Sequence, residues 1–244
     1  MPDFSTFIGV NAGNGRKPFT YVALDQNRRQ LAVGGGSPVD VLSFAAGQPS
    51  ALIGLSTPLR PGSLKPAQPE EPPLPIFRLS KLRQFQLDLT GESHPDPGAD
   101  LPAWLSASFG LVSQIQALGY KLFPEEGQPH QWMETPAESG FTALLGLQPF
   151  EGASLEGRIQ RQLVLFDLEL DVPDAMDFFE EITRFRLLHG HLPYEKVLPL
   201  AELNAWLAAN TAWQAVHQPA QVRQSGMPET GQVVYPLPAA RRTR

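Results

Sequence analysis

Short apolar runs separated by turn residues fill the first part of the chain. Three of these runs are rich in apolar, β-branched or aromatic residues, which is typical of β-strands. They cover residues 7–10, 19–24 and 30–33. Asn14-Gly15 and Gln26-Asn27 mark the reversals between them. The pattern predicts an antiparallel meander of three strands.

The pattern changes after the meander. Ser37 and Pro38 form an N-cap followed by proline at the first helical position, which predicts a short helix that ends at Gly47. Residues 51–55 are continuously apolar, as expected for a strand that is covered on both faces. A meander, a helix and a buried strand in this order indicate an α/β fold.

A proline-rich stretch interrupts this order of elements. Seven of the eighteen residues from 58 to 75 are proline, so an extended loop is expected there. A short helix near residues 79–85 and a second loop rich in Pro, Asp and Gly at 91–102 follow it. We predict one domain that spans residues 1–244, with residues 58–101 as an insertion.

The second half of the chain is predicted to be mostly helical. Apolar residues recur at spacings of three and four along residues 155–170, and residues 174–189 begin with acidic and end with basic side chains, the charge order that the helix dipole favours. A run ending at Glu134 and a closing hairpin have strand character. The predicted helices cover residues 103–118, 155–170, 174–189 and 201–216, and the hairpin covers 221–225 and 232–235. Asn204, Ala208, Thr211 and Ala215 share a face of small residues that can pack closely on a sheet.

Composition argues against several classes of function. The net charge of −6 argues against an extended basic surface for duplex nucleic acid, although a local basic groove is compatible with it. The absence of cysteine excludes disulfides, thiolate zinc sites and a cysteine nucleophile, and it suits a cytosolic protein. No apolar stretch approaches the length of a bilayer span, and the N-terminal residues lack a signal-peptide pattern. We expect a soluble, cytoplasmic protein with no membrane partner.

Polar side chains stand at the ends of four apolar elements. Asn11, Ser56 and Glu134 follow predicted strands, and Asn204 lies in the first turn of the last helix. Functional sites of α/β sheets gather at the carboxyl ends of strands, so these four residues are candidates for one site. The alternative is a structural role, since Asn and Ser at element ends often satisfy turns and caps.

Five segments carry a resemblance that covers nearly the whole chain. They are residues 7–13, 53–59, 132–136, 154–161 and 202–205, with Leu-Glu-Gly-Arg and Thr-Pro-Leu as the most specific parts. In these segments the chain resembles an uncharacterised family of predicted nucleases with a ribonuclease H-like fold. The resemblance implies a mixed sheet flanked by helices, and it implies four catalytic carboxylates. This chain has Asn11, Ser56 and Asn204 at three of those positions and keeps only Glu134.

The three replacements bear directly on activity. Two-metal phosphodiester cleavage needs several carboxylates that hold cations about 3.5–4 Å apart. Asn offers one neutral oxygen and Ser a weak hydroxyl ligand, so Glu134 is the one remaining metal ligand for Mg²⁺ or Mn²⁺. We expect an impaired or inactive nuclease without a resident metal. An active enzyme would need further acids from Asp25, Asp40 or residues 171–177.

Three arginines are candidate contacts for nucleic acid or a phosphorylated ligand. Arg158 and Arg161 lie one turn apart near a helix start, and Arg83 is a weaker candidate. The alternative for the first two is a solvated helix face with ion pairs to Glu156 or Asp167.

A non-catalytic interaction or scaffold protein is the other hypothesis. The proline-rich loop or the helix that carries Trp206 and Trp213 would then contact a protein partner, or the chain would form a homo-oligomer.

Overall fold

The computed structural model describes residues 3–13, 18–56, 103–227 and 231–238. The strands in these ranges are β1 (Thr6–Ala12), β2 (Phe19–Leu24), β3 (Gln30–Gly36), β4 (Ala51–Leu55), β5 (Lys121–Leu122), β6 (His130–Glu134), β7 (Val222–Met227) and β8 (Gly231–Pro236). The helices are α1 (Pro38–Ala46), α2 (Ala103–Ala117), α3 (Ala137–Leu145), α4 (Leu155–Asp167), α5 (Asp177–Glu180), α6 (Arg184–Leu188) and α7 (Leu200–His217). Together they form a mixed α/β structure.

All of these strands belong to one mixed sheet. Its order is β3-β2-β1-β4-β6-β8-β7, with β5 paired to the first half of β6. The first three strands form an antiparallel meander, whereas β1, β4, β6 and β8 pair in parallel. The strands β7 and β8 form an antiparallel hairpin. These pairings confirm the predicted meander, the buried central strand and the closing hairpin.

Successive residues of the central strands point into two different cores, as the period of two in a β-strand requires. Phe7 and Leu52 pack in a core that includes α7 residues, which we call the α7 core. Ile8 and Ile53, the next residues along, pack with α1 and α2 in the α1–α2 core. The sheet is therefore buried on both faces.

The helix α7 packs closely on the sheet because both surfaces carry small residues. Gly9 and Gly54 are register neighbours on β1 and β4. A Cβ atom on Gly9 would collide with backbone atoms of Ala205 and Ala209, and one on Gly54 would lie 2.6 Å from the carbonyl oxygen of Ala208. This contact confirms the predicted close packing at Ala208, while Ala205 and Ala209, which the predicted face did not include, provide the rest of it.

One expectation about a helix is wrong, and one helix was not expected. Residues 174–189 form two short helices, because Thr183 is extended and its hydroxyl caps α6 by accepting a hydrogen bond from the amide of Arg186 at 3.2 Å. The helix α3 was not predicted, although Gly146 ends it in the left-handed conformation with φ of 69°. The predicted insertion at 58–101 lies outside the described residues.

Candidate functional site

Three polar residues follow each other across the carboxyl ends of β1, β4 and β6. The backbone amide of Ser56 donates to the carbonyl of Val10 at 2.8 Å, and the amide of Thr135 donates to the carbonyl of Leu55 at 2.8 Å. These bonds continue the parallel register by one residue beyond the paired positions. Asn11, Ser56 and Thr135 therefore stand side by side at one edge of the sheet, and all three are buried.

Asn11 is the centre of a hydrogen-bond network at this edge. Its side-chain oxygen accepts a bond from the Ser56 hydroxyl at 2.7 Å and a second from the amide group of Asn204 at 3.2 Å. Its own amide group donates to the carbonyl oxygen of Ala12 at 3.2 Å. The structure thus brings together Asn11, Ser56 and Asn204, three of the four candidate residues from the sequence.

The network leaves few oxygen atoms that could bind a cation. An amide oxygen has two lone pairs, and both of those on Asn11 already face donors. Within the described residues, the Asn204 side-chain oxygen and the Thr135 hydroxyl oxygen are buried and accept or donate no hydrogen bond. Both groups are neutral. The edge is therefore polar but carries no formal charge from these four side chains.

Glu134 points away from this network. It is fully buried at the end of β6. Trp132 lies in the α1–α2 core and Met133 in the α7 core, so strand alternation returns Glu134 to the α1–α2 side. Its register neighbours, Leu55 and Val10, also lie in the α1–α2 core. The expected convergence of all four candidates is wrong for Glu134, since one step along a strand changes the face.

Thr135 takes the place that the sequence assigned to Glu134. A Cβ atom built on Gly54 would lie 3.2 Å from the Thr135 hydroxyl and 2.6 Å from the α7 backbone, which puts both on the α7 side of the sheet. The signal that could have identified Thr135 is the register with Ser56. The sequence alone does not give that register, because it does not show which strands pair.

Two acids that could have rescued a metal site are used elsewhere. A carboxylate oxygen of Asp25 accepts bonds from the amides of Asn27 and Arg29 at 2.7 and 2.8 Å, which closes the β2–β3 turn. The carboxylate of Asp40 accepts bonds from the amide and hydroxyl of Ser37 at 2.7 and 2.8 Å, which caps α1. In the described ranges, no group of three or more His, Asp or Glu side chains is arranged to hold a metal ion.

The acidic stretch at 171–177 contributes to a different feature, an open pocket of about 480 Å³. Its lining includes Asp171, Glu202 and Trp206, but none of the residues of the Asn11 network. Burial raises the pKa of the Glu202 carboxyl. Asp171 therefore does not supply a carboxylate to the carboxyl edge of β1 and β4.

Arg161 is a structural residue and not an exposed anion contact. Its side chain is fully buried and binds both carboxylate oxygens of Glu138, at 2.7 and 3.0 Å. It also donates to the carbonyls of Phe150 and Gly157, each at 2.9 Å. The prediction of an anion contact is wrong for Arg161, as is the alternative of a solvated face, because α4 is buried on two sides.

The other two arginines have different outcomes. Arg158 is half-buried on α4, and its Nε atom is buried and forms no hydrogen bond within the described residues. Its contact with an anion stays a prediction. Arg83 lies outside the described residues.

The tryptophans of α7 are not available to a partner. Trp206 is 1% exposed and Trp213 is 9% exposed. The indole nitrogen of Trp213 donates to the carbonyl of Gln26 at 2.7 Å, and the guanidinium of Arg28 lies 4.9 Å from the ring centroid. Both residues stabilise the packing of α7, and a contact between this helix and a partner stays a prediction.

Comparison of the chain with protein-family models, with curated proteins and with solved structures finds no match in any of the three. Among the described residues, the helices are all too short or too polar to cross a bilayer.

Proposed function

We propose that the chain is a ribonuclease H-like domain of nuclease ancestry that has lost the metal-dependent reaction. An antiparallel meander that leads into parallel strands, with helices on both faces, is the arrangement that the resemblance implies. Three of the four positions at which the resemblance implies carboxylates are neighbours at one sheet edge. These two points support the proposed fold and ancestry.

The main support for a loss of activity is that the side-chain oxygen of Asn11 already accepts two hydrogen bonds. A cation at this edge would have to displace the Ser56 hydroxyl and the Asn204 amide from that oxygen. It would find no carboxylate there to balance its charge, since Glu134 faces the opposite core. The neutral network therefore replaces the metal centre with side-chain hydrogen bonds to the oxygen of Asn11.

Divalent-metal titration calorimetry combined with a cleavage assay tests the proposal. We expect no binding of Mg²⁺ or Mn²⁺ at millimolar or lower concentration, and no cleavage of single- or double-stranded DNA and RNA with Mn²⁺. Metal binding at a defined stoichiometry, together with cleavage that disappears in Glu134→Ala, would instead establish an active enzyme built on Glu134.

Introducing carboxylates at these positions tests whether they are the positions of the ancestral metal ligands. The triple variant Asn11→Asp, Ser56→Asp, Asn204→Asp should melt below the parent without metal, because clustered carboxylates repel one another, and Mn²⁺ should raise its melting temperature. The control Asn27→Asp, Ser43→Asp, Ser113→Asp adds the same charge at exposed positions. An equal response to Mn²⁺ in both variants argues against the proposed ancestry.

Residual binding of nucleic acid or a phosphorylated ligand belongs to the same proposal. Arg158 is the candidate anion contact that remains on α4, since the guanidinium of Arg161 is occupied by Glu138. Fluorescence anisotropy with labelled single strands should show weak binding that salt removes. Binding unaffected by Arg158→Gln would exclude this residue from the contact.

A non-catalytic interaction protein is the second candidate function. It is favoured by one observation, a concentration of exposed apolar side chains between residues 176 and 194.

A further inference from the structure

The open pocket of about 480 Å³ lies beside the start of α7 and contains none of the residues of the Asn11 network. Its volume falls in the range of roughly 300–1,000 Å³ that is usual for small-molecule sites. Its described lining comes from three parts of the fold: Gln30 at the start of β3, residues 171–173 after α4, and Leu198, Glu202 and Trp206 in α7 or just before it. The pocket is therefore a product of the tertiary fold and not of a single loop.

One buried side chain, that of Gln162 on α4, holds two walls of the pocket in place. Its amide group donates to the carbonyls of Pro173 and Lys196, each at 2.9 Å. Its side-chain oxygen accepts a bond of 2.7 Å from the backbone amide of Leu198. Gln162 is fully buried, so water does not compete for these bonds. The two walls are thus fixed in advance, which lowers the entropic cost of binding a ligand.

The pocket is acidic, and its acids have no cationic partner. Asp171 and Glu202 line it, and no Lys, Arg or His belongs to its described lining. Neither carboxylate forms an ion pair with any other described residue. Asp171 is exposed, whereas Glu202 is half-buried. The pocket therefore carries negative charge that the described part of the chain does not balance.

Trp206 distinguishes this pocket from an ordinary pair of surface acids. Its side chain is 1% exposed, and its indole nitrogen is buried without a hydrogen bond of regular geometry to any described residue. Glu202 lies one turn earlier on α7. Burial raises the pKa of the Glu202 carboxyl, and the neighbouring indole N–H of Trp206 offsets only part of this effect. A buried donor and a half-buried carboxylate are thus both incompletely paired in the same wall of the pocket.

We propose that this pocket binds a small organic cation, whose ammonium or guanidinium group faces the carboxylates of Asp171 and Glu202. The hydrocarbon part of the ligand then contacts the apolar side chains of Val172, Pro173 and Leu198. A metal ion is a poor occupant, because no third acid or histidine joins the two carboxylates in the described ranges. This inference goes beyond the proposed loss of nuclease activity and does not depend on it.

Titration of the full chain with matched probes, followed by two-dimensional amide NMR, tests the class of ligand. We expect n-butylammonium and n-butylguanidinium to give saturable shifts with a Kd of about 1–10 mM, and neutral butanol to bind at least about tenfold more weakly. Butyrate, which has the opposite charge, should give no saturable shift. Butanol that binds as tightly as n-butylammonium overturns the proposal, as does the absence of saturable shifts with both cations.

Substitutions that remove one charge test the place of binding. Glu202→Gln should weaken the binding of n-butylammonium by about tenfold and Asp171→Asn by about threefold, because the less exposed carboxylate is less screened by water. Asp167→Asn is the matched control, since Asp167 is exposed on α4 outside the pocket lining, and it should leave the Kd unchanged. Asp171 is exposed, so its variant should fold like the parent even if Glu202→Gln does not. Parent-like affinity in Asp171→Asn, or an equal loss in Asp167→Asn, would contradict the proposed site.

Discussion

The side-chain oxygen of Asn11 accepts a hydrogen bond of 2.7 Å from the hydroxyl of Ser56, across the parallel strands β1 and β4. The resemblance implies a carboxylate at each of these positions. Two carboxylates at this distance would repel each other without a cation, whereas an amide and a hydroxyl attract. The Asn11–Ser56 hydrogen bond therefore makes this edge of the sheet stable without a cation, as the proposed loss of the metal-dependent reaction requires.

The first prediction concerns the stability of this network. Asn11→Ala removes the acceptor of two donors and leaves the buried Ser56 hydroxyl and the half-buried Asn204 amide unpaired. We expect a loss of about 2 kcal/mol in the free energy of unfolding. Ser56→Ala removes one donor and leaves Asn11 bonded to Asn204, so its cost should be about 1 kcal/mol.

Urea denaturation of the two variants checks this order. The double variant Asn11→Ala, Ser56→Ala should cost less than the sum of the single changes, because the two side chains share one bond. Additive losses, or a Ser56→Ala variant less stable than Asn11→Ala, would show that Asn11 is not the centre of the network.

The second prediction concerns the contact between α7 and the sheet. Gly9→Ala places a methyl group against the backbone of Ala205 and Ala209, which cannot move without displacing the helix. We expect a loss of about 3 kcal/mol in the free energy of unfolding, at the upper end of the usual cost of overpacking. Gly54→Ala, with its contact at 2.6 Å from the Ala208 carbonyl oxygen, should cost somewhat less.

Gly110→Ala is the control for these glycine changes. Gly110 lies in α2, and a Cβ atom there would meet no atom within 4 Å. This substitution should stabilise the protein by about 0.5–1 kcal/mol through helix propensity. Thermal melts of the three variants would contradict the close-packed contact if Gly9→Ala behaved like Gly110→Ala.

Local patterns were enough to predict the elements that local chemistry determines. Ser37 and Pro38 mark the start of α1, and the continuous apolar run at 51–55 marks a strand with two buried faces. The small residues of α7 predicted its close approach to the sheet. Each of these features depends on residues that are near in sequence, which is why the sequence sufficed.

These local patterns could not predict features that depend on residues far apart in the sequence. Thr183 ends a helix that the charge order favoured, because its side chain caps the next one. Arg161 is buried by Glu138, which lies twenty-three residues earlier in the chain. Whether Glu134 or Thr135 faces Asn11 depends on which strands pair and in which register. None of these facts follows from spacing along a single element.

The third prediction concerns Arg161. Arg161→Met removes a buried cation, its two bonds to Glu138 and its two bonds to backbone carbonyls. We expect a loss of about 3 kcal/mol in the free energy of unfolding. Arg161→Lys should rescue little of it, since an ammonium cannot reproduce the planar fork of a guanidinium.

Arg158→Met, on the same helix, is the control for Arg161 and should cost less than about 1 kcal/mol. Chemical denaturation measures stability, and anisotropy with a labelled single strand measures binding. If Arg161→Met were as stable as the parent but bound nucleic acid less well, Arg161 would be an anion contact after all.

The last prediction concerns pH and the buried phenol of Tyr120. Its hydroxyl donates to the carbonyl of Ala45 at 3.0 Å, and burial raises the pKa of Tyr120 to about 12 from 10.0. The folded protein therefore holds this proton more tightly than the unfolded chain does, so the stabilisation is present below pH 10 and is lost as the pH rises toward 12. Tyr120→Phe should cost about 1 kcal/mol near neutral pH, because the bond from the hydroxyl to the Ala45 carbonyl is lost and only the backbone amide bonds to that carbonyl remain.

The difference in unfolding free energy between Tyr120→Phe and the parent should then shrink as the pH rises past 10, since only the parent loses this contribution. Urea denaturation at about pH 7, 9 and 11 measures the difference. Tyr21→Phe controls for removal of a hydroxyl that forms no hydrogen bond with the described residues, and it should change the stability near neutral pH by less than about 0.5 kcal/mol. A Tyr120→Phe difference that stays constant up to about pH 11 would mean that the phenol ionises as readily in the folded protein as in the unfolded chain, so the contact between α1 and Tyr120 would not exclude water.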